Sequence, residues 1–290
     1  MTADDRLPLT GKIILITGAT SGIGREAALA LTQRGAATVI VGRNPWRIEA
    51  ALDYIRHHGP SGSVEALQAD FTSQAQVRKL AADFRARHTR LDVLINNAGG
   101  VYRRRTLTTD GMEATLAVNH LGAFLLTNLL LDVLVASAPA RVVNVASALH
   151  RRGELDVDDP TMEHGYSILK AYARSKLANL LFTRALAKRL AELGVTVNAL
   201  HPGTVATHIW SGAPLWVRPF LGIYARLFML SPAQGGQRIV YLSASPEVQN
   251  QTGRYFEKDR PVEPAALTLD DVLAEVLWKA SARWTGLNAD

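Results

Sequence analysis

From Lys12 onward the chain alternates short apolar, β-branched runs with longer runs of helical period, and this alternation limits the fold more than any other feature. Strands separated by helix-length connections pair in parallel, and a parallel sheet needs helices over both faces. Strands are predicted at 12–17, 37–42, 63–68, 93–96, 141–146, 195–200 and 253–256. Helices are predicted at 25–34, 45–57, 75–87, 113–134, 171–193, 232–243 and 269–283. The expectation is a single α/β domain over residues 1–290, a doubly wound, seven-stranded parallel sheet flanked by helices on both faces. No repeat recurs and no Gly/Ser/Pro linker divides the chain, so a cofactor half at 10–150 and a catalytic and substrate-binding part at 151–290 belong to one domain.

Composition removes several function classes. A 290-residue chain with 48% hydrophobic residues buries a large core without staples, which excludes disordered, collagen-like and disulfide-scaffold readings. The absence of cysteine excludes thiolate catalysis, zinc–thiolate sites and iron–sulfur clusters, and no His/Asp/Glu spacing argues for a metal. The net charge of +6 is scattered, the only runs of arginine being Arg103-Arg104-Arg105 and Arg151-Arg152, so no nucleic-acid partner is expected. These runs read as solvated loop charges, with contact to an anionic substrate as the alternative. Asp4, Asp5, Arg6 and Pro8 do not fit a signal or transit peptide, and the uncharged stretch 114–131 is interrupted by Asn119, His120 and Asn128. The expectation is a cytoplasmic protein with no transmembrane segment.

The first strand runs into Gly18-Ala19-Thr20-Ser21-Gly22-Ile23-Gly24 and then directly into a helix. Glycines there admit a pyrophosphate close to the backbone, and the helix start offers free N–H groups and a positive dipole end. The Gly-x-x-x-Gly-x-Gly spacing departs from Gly-x-Gly-x-x-Gly, and a tight turn is the alternative. Cofactor choice is read at the end of the second strand, where a carboxylate would take the ribose 2′-hydroxyl of NAD. Here Gly42 is followed by Arg43, with no carboxylate before Glu49; an Arg pairs instead with the 2′-phosphate of NADP(H), unless it is an ordinary surface charge.

Tyr172-Ala173-Arg174-Ser175-Lys176 places a tyrosine and a lysine one helical turn apart. That pattern alone is weak, and Tyr166-Ser167-Ile168-Leu169-Lys170 repeats it. Combined with Thr17–Gly24, Asn96-Asn97-Ala98-Gly99, Asn119, Ser147 and Pro202-Gly203, it resembles the short-chain dehydrogenase/reductase family over about residues 10–260. The resemblance implies a Rossmann-like fold. It also selects the pair: the family's active tyrosine precedes the Pro-Gly by the interval from Tyr172 to Pro202, 30 residues.

Reducing a carbonyl by hydride transfer needs a proton at its oxygen, and a phenol with an ordinary pKa of about 10 exchanges protons poorly at neutral pH. Lys176 is suited to lower that pKa, each unit being worth about 1.4 kcal/mol. By resemblance Tyr172 is the general acid/base, Lys176 also binds the nicotinamide ribose, Ser147 holds the substrate oxygen and Asn119 positions a relay water. The implied cofactor contacts are Gly18, Thr20, Ser21, Gly22, Ile23, Gly24, Arg43, Asp70, Phe71, Asn97, Ala98, Gly99, Tyr172, Lys176, Pro202, Gly203, Val205 and Thr207. Ser147 also reads as a turn former, and Asp70 as a helix or turn cap.

Asn119–Thr127, Ser175–Phe182 and Leu200-His201-Pro202-Gly203 resemble the branch of retinol dehydrogenases and WW-domain oxidoreductases, which includes protochlorophyllide reductase. The 25-residue interval from Ser147 to Tyr172 agrees with that branch. No membrane-anchoring N-terminus like that of many retinol dehydrogenases and no WW module are expected, and the sequence lacks the cysteine of light-driven reductases. The segment 204–231 gathers Ile209, Trp210, Leu215, Trp216, Phe220, Leu221, Tyr224, Leu227 and Phe228, which suit an apolar lid, core packing or a subunit contact. Pro214 and Pro219 argue against a long interfacial helix there, leaving weak membrane-surface contact as a secondary reading. His120, His150 and His201 read as structural.

The expectation is an NADP(H)-dependent enzyme interconverting an alcohol and a carbonyl on a small hydrophobic substrate, retinoid-, steroid- or lipid-like. The alternatives are a non-catalytic NADP(H)-sensing protein and a ring reductase of the same fold. The family also implies a homo-oligomer, with the helix at 171–193 against a second subunit.

Overall fold

The computed structural model describes residues 9–59, 61–203 and 230–288. Eight strands form one sheet: β1 (Ile13–Thr17), β2 (Ala37–Gly42), β3 (Ser63–Gln68), β4 (Val93–Asn96), β5 (Ala140–Val145), β6 (Val195–His201), β7 (Tyr255–Glu257) and β8 (Arg260–Val262). Their order is β3-β2-β1-β4-β5-β6-β7-β8. The first seven run parallel and the last pairs antiparallel with β7. The expected sheet of seven parallel strands is therefore corrected by one edge strand. β8 has three residues, one of them Pro261, and it turns back through Lys258 and Asp259, both at positive φ, so it carries almost no alternation to read.

The long helices are α1 (Gly22–Gln33), α2 (Pro45–His58), α3 (Gln74–Arg87), α7 (Ile168–Arg189), α8 (Pro232–Ala244) and α9 (Asp271–Thr285). Most start where the sequence offers a cap: Asn44, Ser73, Ser167, Ser231 and Asp270 each accept a backbone N–H of the first turn. The single helix expected at 113–134 is broken. A short turn α4 (Ala114–Leu116) passes into a π-helical turn (Ala117–Leu121), then α5 (Gly122–Leu129) and α6 (Leu131–Ala136). Apolar periodicity continues through the break, which is why it is invisible in the pattern.

Each face of the sheet has its own core. Phe84, Phe124, Leu181, Phe182 and Trp278 lie on the side of α3, α5, α7 and α9, whereas Leu31, Ile55 and Ile239 lie on the side of α1, α2 and α8. Because β1 sits between β2 and β4, the chain's winding reverses there, and a crevice opens beyond the carboxyl ends of β1 and β4. Helix α9 packs on α5 and α7: Trp278 meets Phe124 edge-on at 4.9 Å, and Asp271 bonds Arg184 at 2.5 Å. The chain's own last helix thus reaches α7 at Phe182 and at Arg184.

Candidate active site

The nucleotide loop joins β1 to α1 and is held from β4. Thr17 Oγ1 accepts from the backbone N–H of Asn97 and Ala98 at 3.0 and 2.9 Å, and Asn97 Nδ2 donates to the carbonyls of Thr17 and Gly18 at 2.8 and 3.1 Å. Gly18 is at φ +65, and a Cβ there would stand 2.7 Å from Ala98 Cα, so the two segments meet backbone to backbone. Asn97 and Ala98 therefore support the loop, and Thr17, not among the predicted contacts, is the joint.

Helix α1 differs from its neighbours at its start. Ser21 stands at the N-cap position with no side-chain bond to the helix, and no acidic residue lies in the first turn. The first N–H groups of an α-helix lack partners within the helix, and here Ser21, Gly22, Ile23 and Gly24 present them at the switch point of the sheet. That donor set fits a dinucleotide pyrophosphate, and a cap carboxylate that would repel one is missing. Thr20 packs against the last residue of β2, Gly42.

Arg43 is exposed just past β2, and its guanidinium is close enough to Tyr102 to act on the phenol electrostatically. Burial raises the Tyr102 pKa above its ordinary value, with Arg43 opposing that shift and Asp70 adding to it. Tyr102 is thus a neighbour of both predicted adenosine-end residues that the sequence did not reveal. Asp70 also plays the alternative part foreseen for it, closing a turn onto the N–H and hydroxyl of Thr72, both at 2.9 Å. The Phe71 ring is in the core, packed against Gly122.

At the carboxyl end of β5, Ser147 caps a short 3₁₀ turn (Ala148–Arg152), accepting from Leu149 N at 3.3 Å. His150 donates from Nδ1 to the Ser147 carbonyl at 2.7 Å while its Nε2 accepts from Ala265 N at 3.1 Å, a satisfied structural histidine as expected. The Tyr172 phenol lies near Ser147, whose hydroxyl acts on it electrostatically. Lys176, buried on the same face of α7, donates to the Val145 carbonyl at 2.9 Å, and its Nζ lies 5.5 Å from the Tyr172 ring centre.

The electrostatics correct one expectation. Burial pushes the Tyr172 pKa up, and the opposing influence is the Ser147 hydroxyl, not Lys176. Lys176 has turned to the Val145 carbonyl, and burial lowers its own pKa to about 8. The phenol is therefore neutral at physiological pH.

Asn119 stands in the π-helical turn, where such turns often mark functional positions. Its Oδ1 accepts from Gly100 N at 2.7 Å, and its Nδ2 donates to Gly100 O at 3.1 Å and to Ser175 Oγ at 2.9 Å. Both amide protons are spent, so Asn119 clamps the loop after β4 to α7. A Cβ on Gly99 would lie 3.2 Å from Asn119 Oδ1 and 3.7 Å from Lys176 Nζ, which brings this loop, the π-turn and the lysine together.

The second Tyr-x-x-x-Lys pair does not share this site. Tyr166 donates its hydroxyl to the Tyr102 carbonyl at 2.5 Å, and Lys170 is exposed at the start of α7. Pro202 is buried, and Gly203, at φ +95, packs against Leu230. Val205, Thr207 and the apolar residues expected to form the substrate wall lie outside the described residues.

The family model of the short chain dehydrogenases matches residues 12–217. The chain belongs to the short-chain dehydrogenase/reductase family. Within it the chain falls in the retinol dehydrogenase-like branch: it is 41% identical over 292 residues to human retinol dehydrogenase 14, covering 96% of this chain and 87% of that protein. An uncharacterized protein from Mycobacterium Paratuberculosis superposes with a TM-score of 0.81 at 30% identity, over 100% of this chain and 99% of the other. RhlG of Pseudomonas aeruginosa, solved as an NADP active-site complex, superposes with a TM-score of 0.70 at 26% identity, over 88% of this chain and 97% of the other. The protein is accordingly a nicotinamide-dependent oxidoreductase of alcohol and carbonyl groups. No helix among the described residues is long and apolar enough to cross a membrane.

Proposed function

We propose that this protein is an NADP(H)-dependent reductase of carbonyl groups on bulky apolar molecules. The observation that carries the reading is the convergence of Ser147, Tyr172 and Lys176 at the carboxyl edge of the sheet, in the crevice that also receives the uncapped start of α1. NADP(H), when bound, supplies the hydride. Arg43, with Tyr102 beside it and no carboxylate at the end of β2, supports the 2′-phosphate form of the cofactor. The names of relatives such as retinol dehydrogenase 14 support an apolar alcohol or aldehyde as the substrate class.

In this reading Ser147 Oγ holds the substrate oxygen and Tyr172 Oη gives it a proton as the carbonyl carbon accepts hydride. The raised phenol pKa keeps that proton in place at neutral pH, which suits reduction better than the reverse reaction. Lys176, with its pKa near 8, retains protons beyond the one given to Val145, and these are available for the ribose hydroxyls and for restoring the phenol.

The test is NADPH consumption across a panel of apolar aldehydes and ketones, with Tyr172→Phe and Tyr166→Phe compared. Loss of a general acid lowers turnover about 10²–10⁴-fold, and removing one hydroxyl should leave NADPH affinity nearly unchanged. Tyr166→Phe should keep wild-type turnover. The reading fails if no carbonyl is reduced, or if the two variants exchange behaviour.

A further inference from the structure

The last helix meets the active site through one buried ring. His120 follows Asn119 in the π-helical turn and has no exposed surface. Its Nε2 lies 2.9 Å from Ser281 Oγ on α9, and the ring is enclosed by Phe124 at 6.1 Å and Phe182 at 6.0 Å. Ser281 is itself fully buried, and Trp278 one turn earlier is stacked on Phe182. Asn179 of α7 approaches the same ring, so the imidazole bridges α9 and the catalytic helix at the point where the π-turn passes between them.

We propose that Ser281 is a positioning residue of the catalytic site, acting through His120 to set the π-turn and hence the Asn119 clamp on Gly100 and Ser175. The proposal rests on the catalytic reading given above. Asn119 and His120 are adjacent, so the two side chains leave one peptide segment in different directions and cannot move independently. A π-turn interrupts the i→i−4 ladder of the flanking α-helix, and this one packs through His120 against α9. Burial lowers the His120 pKa to about 3, so the ring is neutral and offers one N–H and one lone pair. Ser281 gives its Nε2 a hydrogen bond at 2.9 Å, while Nδ1 has Asn179 nearby but no partner within hydrogen-bond distance. Asn119 in turn holds Gly100 by two bonds, next to the Gly99 backbone that faces Lys176. The helix covering α5 and α7 is thereby coupled to the geometry of the nucleotide cleft, 161 residues from its partner in sequence.

The experiment compares Ser281→Ala with Leu277→Ala, a buried apolar position on the same helix. Hydrogen–deuterium exchange at the Gly100 amide reads the Asn119 clamp without turnover. In Ser281→Ala this amide should exchange about tenfold faster, the equivalent of one net hydrogen bond, while α9 stays protected. With NADPH and an apolar aldehyde, kcat should fall about tenfold to a hundredfold and the KM for NADPH should stay within about twofold, the pattern of misplaced rather than missing groups. Leu277→Ala should lower the melting temperature but leave Gly100 exchange and kcat at wild-type values. Ser281→Cys, which keeps a weak donor and acceptor, should lie between wild type and Ser281→Ala, and it carries the same readouts if Ser281→Ala does not fold. Wild-type exchange at Gly100 in Ser281→Ala overturns the proposal, as does an equal effect of Leu277→Ala. If the wild type reduces no carbonyl, the catalytic reading fails separately, and Gly100 exchange still decides the coupling.

Discussion

Replacing Lys176 by methionine should flatten the dependence of stability on pH above neutrality. The lysine is buried and its pKa is lowered from 10.5 to about 8, so between those values the unfolded chain binds more protons than the folded one. Stability then rises with pH across that window, and the penalty is fully present below it. Carried through for one group, this amounts to about 2 kcal/mol regained by the wild type between pH 7 and pH 9.5, out of a total of about 3 kcal/mol. Methionine also forfeits the hydrogen bond to the Val145 carbonyl, but that loss is independent of pH over this range and cancels when slopes are compared. Urea unfolding of both proteins without nucleotide, at pH 7, 8, 9 and 9.5, measures the difference directly. Parallel stability curves would show that the folded protein holds Lys176 at an ordinary pKa and would remove the basis for its role as a proton source near neutrality.

Arg43→Ala should lower the preference for NADPH over NADH by roughly tenfold to a hundredfold, since a charge-assisted contact to phosphate is worth about 1.5–3 kcal/mol. Titration of both cofactors checks it, and unchanged selectivity would make Arg43 a plain surface charge. Gly18→Ala combines a positive φ with a Cβ 2.7 Å from Ala98 Cα, so it should cost about 1–3 kcal/mol and weaken NADPH binding; a wild-type melting temperature would contradict the backbone contact. Glu113→Ala should cost about 3–5 kcal/mol in urea unfolding, because it strands the buried Arg174 guanidinium 3.5 Å away and frees the N–H groups of Thr115 and Leu116. A loss under about 1 kcal/mol would place that pair among ordinary surface bridges.

Much of the fold was legible because its signals are local. Three predicted strands, at 37–42, 63–68 and 93–96, match β2, β3 and β4; β2 and β4 are apolar runs bounded by turns, as buried parallel strands are. Helix starts were less exact: the helix predicted from 171 begins at Ile168, one residue beyond the cap Ser167, and the one predicted from 25 begins at Gly22. The break at Ala117–Leu121 was not readable, because the same residues satisfy the apolar period of an unbroken helix.

While Ser147, Tyr172 and Lys176 were grouped by the resemblance to a family, the sequence by itself determined the alternation that builds the sheet and the glycine loop at its switch point. These rest on backbone stereochemistry and on periodicities that span a few residues. Tertiary structure decided the rest. It turned Tyr166 into a strut for the Tyr102 carbonyl, although the two Tyr-x-x-x-Lys pairs are alike in local pattern. It also raised the Tyr172 pKa that an adjacent lysine was expected to lower, and it set Ser281 against His120. Desolvation depends on how much chain closes over a group, and a hydrogen bond across 161 residues depends on where two helices dock. Neither quantity is written in the neighbourhood of the residue that feels it.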